Sequence, residues 1–227
     1  MKLMAHVDLI VMRKTLVQLV RIGLVVLLFI VLVTGNALSG AAALCVMVPA
    51  IYSMSIMAYD EINRWESFRL CLPVEREDVI RGHYASTLIV MLVSFAFAVV
   101  IAPLLTWLAS LLSGSSFGFD AVGEMVLVCA IGFAISFWIP AVNLPIVAKF
   151  GVTQASRYVP LLLACVMAFS FAALGQVLSG DGLPTVLSFL STQTGVVVAI
   201  VAAVVLSAAV YFASMLLALK FYQAREF

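Results

Sequence analysis

Charge is scarce in this sequence, and the places where it is missing exclude several classes of function. Only 10% of the 227 residues are Asp, Glu, Lys or Arg, against about a quarter in an ordinary soluble domain. The long apolar runs hold no Asp, Glu, Lys, Arg or His near their middles; Arg21 and Glu124 lie at run ends, where a side chain can snorkel. Ion-coupled carriers and proton pumps usually need an intramembrane carboxylate or histidine, so this emptiness argues against them. Histidine is limited to His6 and His83, both in polar flanks, so no Ser–His pair forms at depth and intramembrane proteolysis is disfavoured. There is no HExxH and no GxxxxGK[ST]. Energy for active transport must therefore come from another polypeptide. Net charge is +1 and carries no information on partners; nucleic acid is not expected among them.

Cysteine is equally uninformative as chemistry. Cys45, Cys71, Cys129 and Cys165 form no CxxC and have no histidine at ligand spacing. Three of them fall in apolar runs, where cysteine behaves as a small hydrophobe, and Cys71 falls in a charged loop. None lies in a segment assigned to the outside, so neither a disulfide nor a metal site is expected.

What the chain has in abundance is apolar surface. Hydrophobic residues make up 65% of it and mean hydropathy is +1.24. A spanning helix needs about 20 apolar residues, and six runs qualify: 15–33, 41–58, 85–112, 125–142, 158–178 and 195–219. The first follows Lys2, Arg13 and Lys14 and is longer than the roughly 7–15 residues of a signal-peptide core, so it reads as a span. The third exceeds one straight crossing, and Pro103 within it suggests a kink or tilt. The expected fold is an all-α integral membrane protein, one transmembrane domain over residues 1–227.

The basic residues fix an expected orientation. Lys2, Arg13, Lys14 and Arg21 precede or open the first run, and Arg64, Arg69, Arg76 and Arg81 lie between the second and third. Lys149 and Arg157 lie between the fourth and fifth, and Lys220 and Arg225 follow the sixth. All 12 Lys and Arg thus fall on one side, leaving 34–40, 113–124 and 179–194 with only the acids Asp120, Glu124 and Asp181. The positive-inside rule then puts both termini in the cytoplasm. The external segments are too short to build a receptor-like domain.

Segment 59–84, YDEINRWESFRLCLPVEREDVIRGHY, concentrates the remaining polarity. It reads as two short helices broken at Leu72-Pro73. In the first, Ile62, Trp65, Phe68 and Leu72 form an apolar stripe, and Asp60 and Arg64 are i,i+4 partners. In the second, Glu75, Glu77 and Asp78 precede Arg81, which suits the helix dipole. An interfacial tether between spans is one reading. Mixed charge beside Trp and Phe favours the other, a docking surface for a cytoplasmic protein, because a helix made for anionic lipid would carry mostly Lys and Arg.

The stretch Tyr59-Asp60-Glu61, Arg64-Trp65, Leu72-Pro73-Val74, Arg76, Val79-Ile80 and Tyr84 resembles the ABC-2-type permeases, in particular the small six-span bacterial subfamily. Leu144-Pro145 with Lys149-Phe150-Gly151 is similar to the family's LP…KFG element after span four, and Tyr222 with Arg225-Glu226-Phe227 to its basic C-terminus. Glu75 departs from the usual small hydroxyl residue, and Gly82-His83 stands where Ser/Ala-Lys is common. The resemblance implies a permease subunit in a bacterial plasma membrane, pairing with a second copy or a sibling and exporting its substrate. It would itself be no enzyme and would bind no cofactor, with ATP and Mg held by a separate cytoplasmic ABC ATPase. Segment 59–84 would be the coupling segment, with Glu61, Arg64, Trp65, Pro73 and Arg76 as the contact and Trp65 as its anchor. The apolar span interiors suit an amphipathic peptide or lipid-like substrate. The competing expectation is a small membrane scaffold or immunity-type protein with a non-ATPase partner.

Overall fold

The computed structural model describes residues 2–34, 38–63, 76–113, 120–152 and 193–223. Among them all but Met12, Asn63, Phe137 and Gly151 are helical, and none lies in a strand. Helix is the expected solution for a chain this apolar, because inside lipid each backbone N–H and C=O must find its partner within the segment. The helices are α1 (Lys2–Val11), α2 (Arg13–Thr34), α3 (Leu38–Ile62), α4 (Arg76–Ser113), α5 (Asp120–Ser136), α6 (Trp138–Phe150) and α7 (Gln193–Gln223).

Five stretches are long and apolar enough to cross a membrane: Arg13–Val31, Gly40–Ile62, Glu77–Leu108, Val122–Phe150 and Thr194–Phe221. They overlap the first four and the sixth of the apolar runs. The run at 158–178 lies outside the described residues.

Two elements differ from the sequence reading. The helix after Pro73 is not a separate short piece, because α4 continues from Arg76 through the whole third run to Ser113. Its only breakers are Gly82 and Pro103, and the helix passes through both. In the fourth run the helix is interrupted at Phe137 and then extends past 142 to Phe150, so that Leu144-Pro145 and Lys149-Phe150 are helical. Pro140 has no N–H to offer the Ser136 carbonyl, and the helix loosens one turn upstream of it. The Ser136 hydroxyl turns back to the Phe133 carbonyl at 2.7 Å, and Ala141 N–H restarts the ladder on Phe137 O at 3.1 Å.

Polarity is arranged inside out. Ile22, Val25 and Phe29 of α2, Val93 and Val100 of α4, and Val205, Leu206 and Phe212 of α7 face outward. Ser53, Ser86, Thr87, Ser136 and Asn143 are buried. Lipid exerts no hydrophobic drive between helices, so close packing and local hydrogen bonds must hold them together. α3 occupies the centre, touching α2, α4, α5 and α6, while α7 packs on α6, α5 and α4, and α1 lies on α4.

α3 and α5 approach closely at Gly132. A Cβ there would stand 3.0 Å from the Ala42 carbonyl oxygen and 3.2 Å from both Ala42 Cα and Cys45 Cβ. Cys45 and Cys129 are both buried free thiols at the same contact, matching the expectation that they serve as small packing residues. Because backbone rather than a flexible side chain faces Gly132, Gly132→Val should force the two helices apart. Overpacking of that kind costs about 1–3 kcal/mol, which thermal unfolding in detergent should register as a lowered midpoint. Gly123→Ala, at a helical position with nothing within 4 Å, should not lower the midpoint.

Candidate coupling site at the basic end of the bundle

The N-terminal helix carries an acid on its inner face. Met4, Ala5, Asp8 and Met12 are buried while His6, Ile10 and Val11 are exposed, which is one helical stripe with a carboxylate in the middle. That stripe lies against the start of α4 at Gly82. A Cβ on Gly82 would stand 2.7 Å from Met4 Cβ and 3.4 Å from Ala5 N, so no side chain fits between the helices.

His83, the next residue, is 2% exposed and joins three helices. Its Nδ1 lies 2.9 Å from Asp8 Oδ2 on α1, and its Nε2 lies 3.1 Å from Asp60 Oδ2 in the last turn of α3. Asp8 and Asp60 are themselves buried. A neutral imidazole has one N–H and one lone pair, so it can donate to only one of two carboxylates. Both contacts are favourable together when both ring nitrogens carry protons, or when one carboxyl does. Buried charges persist only when paired in this way. The His83 carbonyl accepts from Ser86 Oγ at 3.0 Å and Thr87 Oγ1 at 2.7 Å, fixing the turn that aims the ring.

Glu61 makes the second tie at this end. Its Oε2 accepts the backbone N–H of Val152, just past the end of α6. Gly151 makes that meeting possible: at φ 77° it leaves the helical path after donating to Val147 O at 2.9 Å, a conformation that favours glycine. Lys149 Nζ lies 5.0 Å from the ring centres of both Phe150 and Phe221, which brings in the end of α7 by cation–π contact. The ends of α3, α6 and α7 and the starts of α1 and α4 therefore meet in one place. Between them Asp60, Glu61 and His83 line a cavity of about 10 Å³, room for about one water.

Further into the bundle the same helices are joined by aromatic rings. Tyr84 and Tyr211 stack at 5.0 Å, Tyr211 meets Phe137 at 5.6 Å, and Phe137 meets Phe133 at 5.0 Å. Tyr211 donates to the Tyr84 carbonyl at 2.8 Å, and the Tyr84 and Ser214 hydroxyls are 2.9 Å apart. α4 and α7 are thus fastened immediately beyond His83.

Of the residues expected to form the coupling contact, Glu61 sits in this joint and Arg76 opens α4. Arg64, Trp65 and Pro73 lie outside the described residues. At the start of α4 Arg81 pairs with Glu77 at 2.6 Å, a half-exposed i,i+4 contact worth little. Sequence reasoning made nothing of Asp8, treated His83 as a flank residue, and weighed Asp60 as a partner of Arg64 and as part of the Tyr59-Asp60-Glu61 motif. The available signals were an acid on the apolar stripe of the N-terminal helix and the Gly82-His83 pair, noticed only as a departure from a pattern.

The profile of the ABC-2 family transporter proteins matches residues 6–223, nearly the whole chain. Comparisons with curated proteins and with solved structures return no significant match. The match spans the described helices from α1 to α7 and the joint at their basic end. The chain is a member of the ABC-2 transporter family, whose members are the transmembrane component of transporters and generally carry no ATPase of their own.

Proposed function

We propose that this chain is the permease subunit of an ATP-driven exporter in a bacterial plasma membrane, with six spans and both termini in the cytoplasm. It works as a pair with a second copy or a sibling permease. Each permease docks through segment 59–84 on a separate cytoplasmic ATPase, which holds the ATP and Mg. Glu61, Arg64, Trp65, Pro73 and Arg76 form the contact.

The observation that carries this reading is the anchoring of both flanks of that segment. On the entry side Asp60 and Glu61 are tied to His83 and to Val152. On the exit side α4 begins at Arg76 and runs unbroken for 38 residues, roughly 57 Å of rod. A hydrocarbon core is only about 30 Å thick, so such a rod extends beyond it. Force delivered at Asp60 and Glu61 or at the start of α4 would reach the bundle through these ties, which is how an ATPase without access to the membrane could tilt it.

For the substrate, an apolar amphipathic or lipid-like molecule fits best. A groove of about 360 Å³ opens between Ile131, Ile135 and Trp138 on one side and Val196, Ile200 and Ala203 of α7 on the other. The Trp138 indole N–H is already engaged by Ser207 Oγ at 3.1 Å, leaving carbon surface to face an occupant. This supports lateral handling of apolar groups rather than of ions.

Purification of the tagged chain in mild detergent should bring down a nucleotide-binding subunit. Trp65→Ala, which spares the Glu61–Val152 bond, should reduce the recovered ATPase about ten-fold, the equivalent of roughly 1.4 kcal/mol, without affecting membrane insertion. The charge reversal Glu61→Lys with Arg64→Glu should weaken association as well. Full insertion with no ATPase under any condition would favour the scaffold reading. The orientation has its own test: an impermeant maleimide should label Cys71 only after the membrane is opened, and a Ser116→Cys variant from outside intact cells.

A further inference from the structure

The Asp8–His83–Asp60 cluster is absorbed neither by the coupling contact nor by the substrate groove, and its geometry has a consequence of its own. Asp8 is 75 residues from His83 in sequence, yet the pair is 1–2% exposed and 2.9 Å apart. Gly82 is the position at which α1 and α4 touch without a side chain between them, so the ring is delivered to Asp8 by a close approach of two helices. On the far side of the ring is Asp60, one residue before the Glu61 that binds Val152.

We propose that His83 is a positioning residue, a proton-dependent clamp that fastens the N-terminal helix to the bases of α3 and α4. The chemistry is a count of protons. Two carboxylate oxygens face two ring nitrogens, and the closed arrangement needs a proton in each gap. Removing one proton leaves a lone pair opposite a carboxylate at about 3 Å in a buried site, and that repulsion opens the clamp. The clamp is closed at neutral and mildly acidic pH and opens as pH rises. Among the described residues, the groups against the ring are Asp8 from α1 and Asp60 from α3, with Glu61 lining the same cavity and Tyr52 of α3 buried near Asp8; on its own helix Glu77 and Arg81 pair with each other. The adjoining part of α6 contributes Val147 and Ala148, while its Lys149 is turned to two phenyl rings. The excess of acids around the ring favours its doubly protonated form.

The consequence for transport rests on the permease reading: with the clamp closed, the N-terminal helix moves with the coupling segment. The clamp itself is measurable on the chain alone. Only two histidines are present, so ¹⁵N-histidine NMR of the full chain in lipid nanodiscs is assigned with one His6→Gln variant. His83 should keep both nitrogens protonated at neutral pH and lose one only on the alkaline side. The amide protection factor over residues 2–11, taken against the intrinsic exchange rate at each pH, should fall about ten-fold across that same alkaline step. His83→Gln should show a low protection factor at every pH with no step, and His83→Lys, which restores a cation, should regain protection. A singly protonated His83 near neutral pH with both Asp8 and Asp60 ionised, read from their ¹³C-carboxyl shifts, overturns the clamp. So does a protection factor at 2–11 that ignores both pH and His83→Gln. If the clamp behaves as expected but His83→Gln leaves permease-stimulated ATP hydrolysis unchanged, its role in transport is overturned. Failure to find any ATPase partner would count against the permease reading alone, since the clamp's readouts need no partner.

Discussion

An imidazole held between two carboxylates is the contact on which the basic end of this bundle depends. His83 touches α1 through Asp8 and α3 through Asp60 while belonging to α4, so one side chain sets the relative position of three helices. Charges buried to this degree are tolerated only when each meets an opposite charge or a hydrogen-bond donor. Loss of His83 would remove the imidazole that joins two buried carboxylates, which makes the cluster better suited to specifying a geometry than to adding stability.

The remainder of the architecture follows from a bundle whose outer surface is apolar. Helices with Val, Leu and Phe outward gain nothing by hiding them from lipid, so they meet along small residues and short hydrogen bonds. Gly132 against Ala42 and Cys45 is one such meeting, and Gly82 against Met4 is another. The first lies in the apolar body of the bundle and the second at its basic end. Between them the rings of Tyr84, Tyr211, Phe137 and Phe133 supply a continuous stiff contact. A displacement imposed at the Glu61–Val152 and His83 contacts would thus be transmitted along packed rods rather than absorbed at the membrane edge.

Membrane class and five of the spans were legible in the sequence, because apolar run length is a one-dimensional property that tertiary contacts do not alter. The family was legible too, from residues 59–84 and 144–151, and the profile match over 6–223 bears it out. Helix continuity was less legible. Leu72-Pro73 is a break signal in the sequence, but nothing local distinguishes a short helix from the opening turns of α4, because acids ahead of Arg81 suit the start of a helix of either length. Pro140 was visible, yet its effect at Phe137 and the helix that resumes to Phe150 depend on packing against α3 and α7. The Asp8–His83–Asp60 cluster was not legible. Its members are separated by more than 20 residues in every pair, and periodicity along one helix carries no information about a partner on another.

The central claim is that force from a cytoplasmic ATPase enters this bundle through segment 59–84. Its most direct test is site-specific photo-crosslinking in native membranes, with a photoreactive amino acid placed at Trp65 and, as control, at Phe117 in the segment assigned to the outside. The account predicts an ATPase adduct from position 65, abolished by stripping peripheral proteins, and none from position 117. An ATPase adduct from 117, or its consistent absence at 65 in a complex that still hydrolyses ATP, would contradict it.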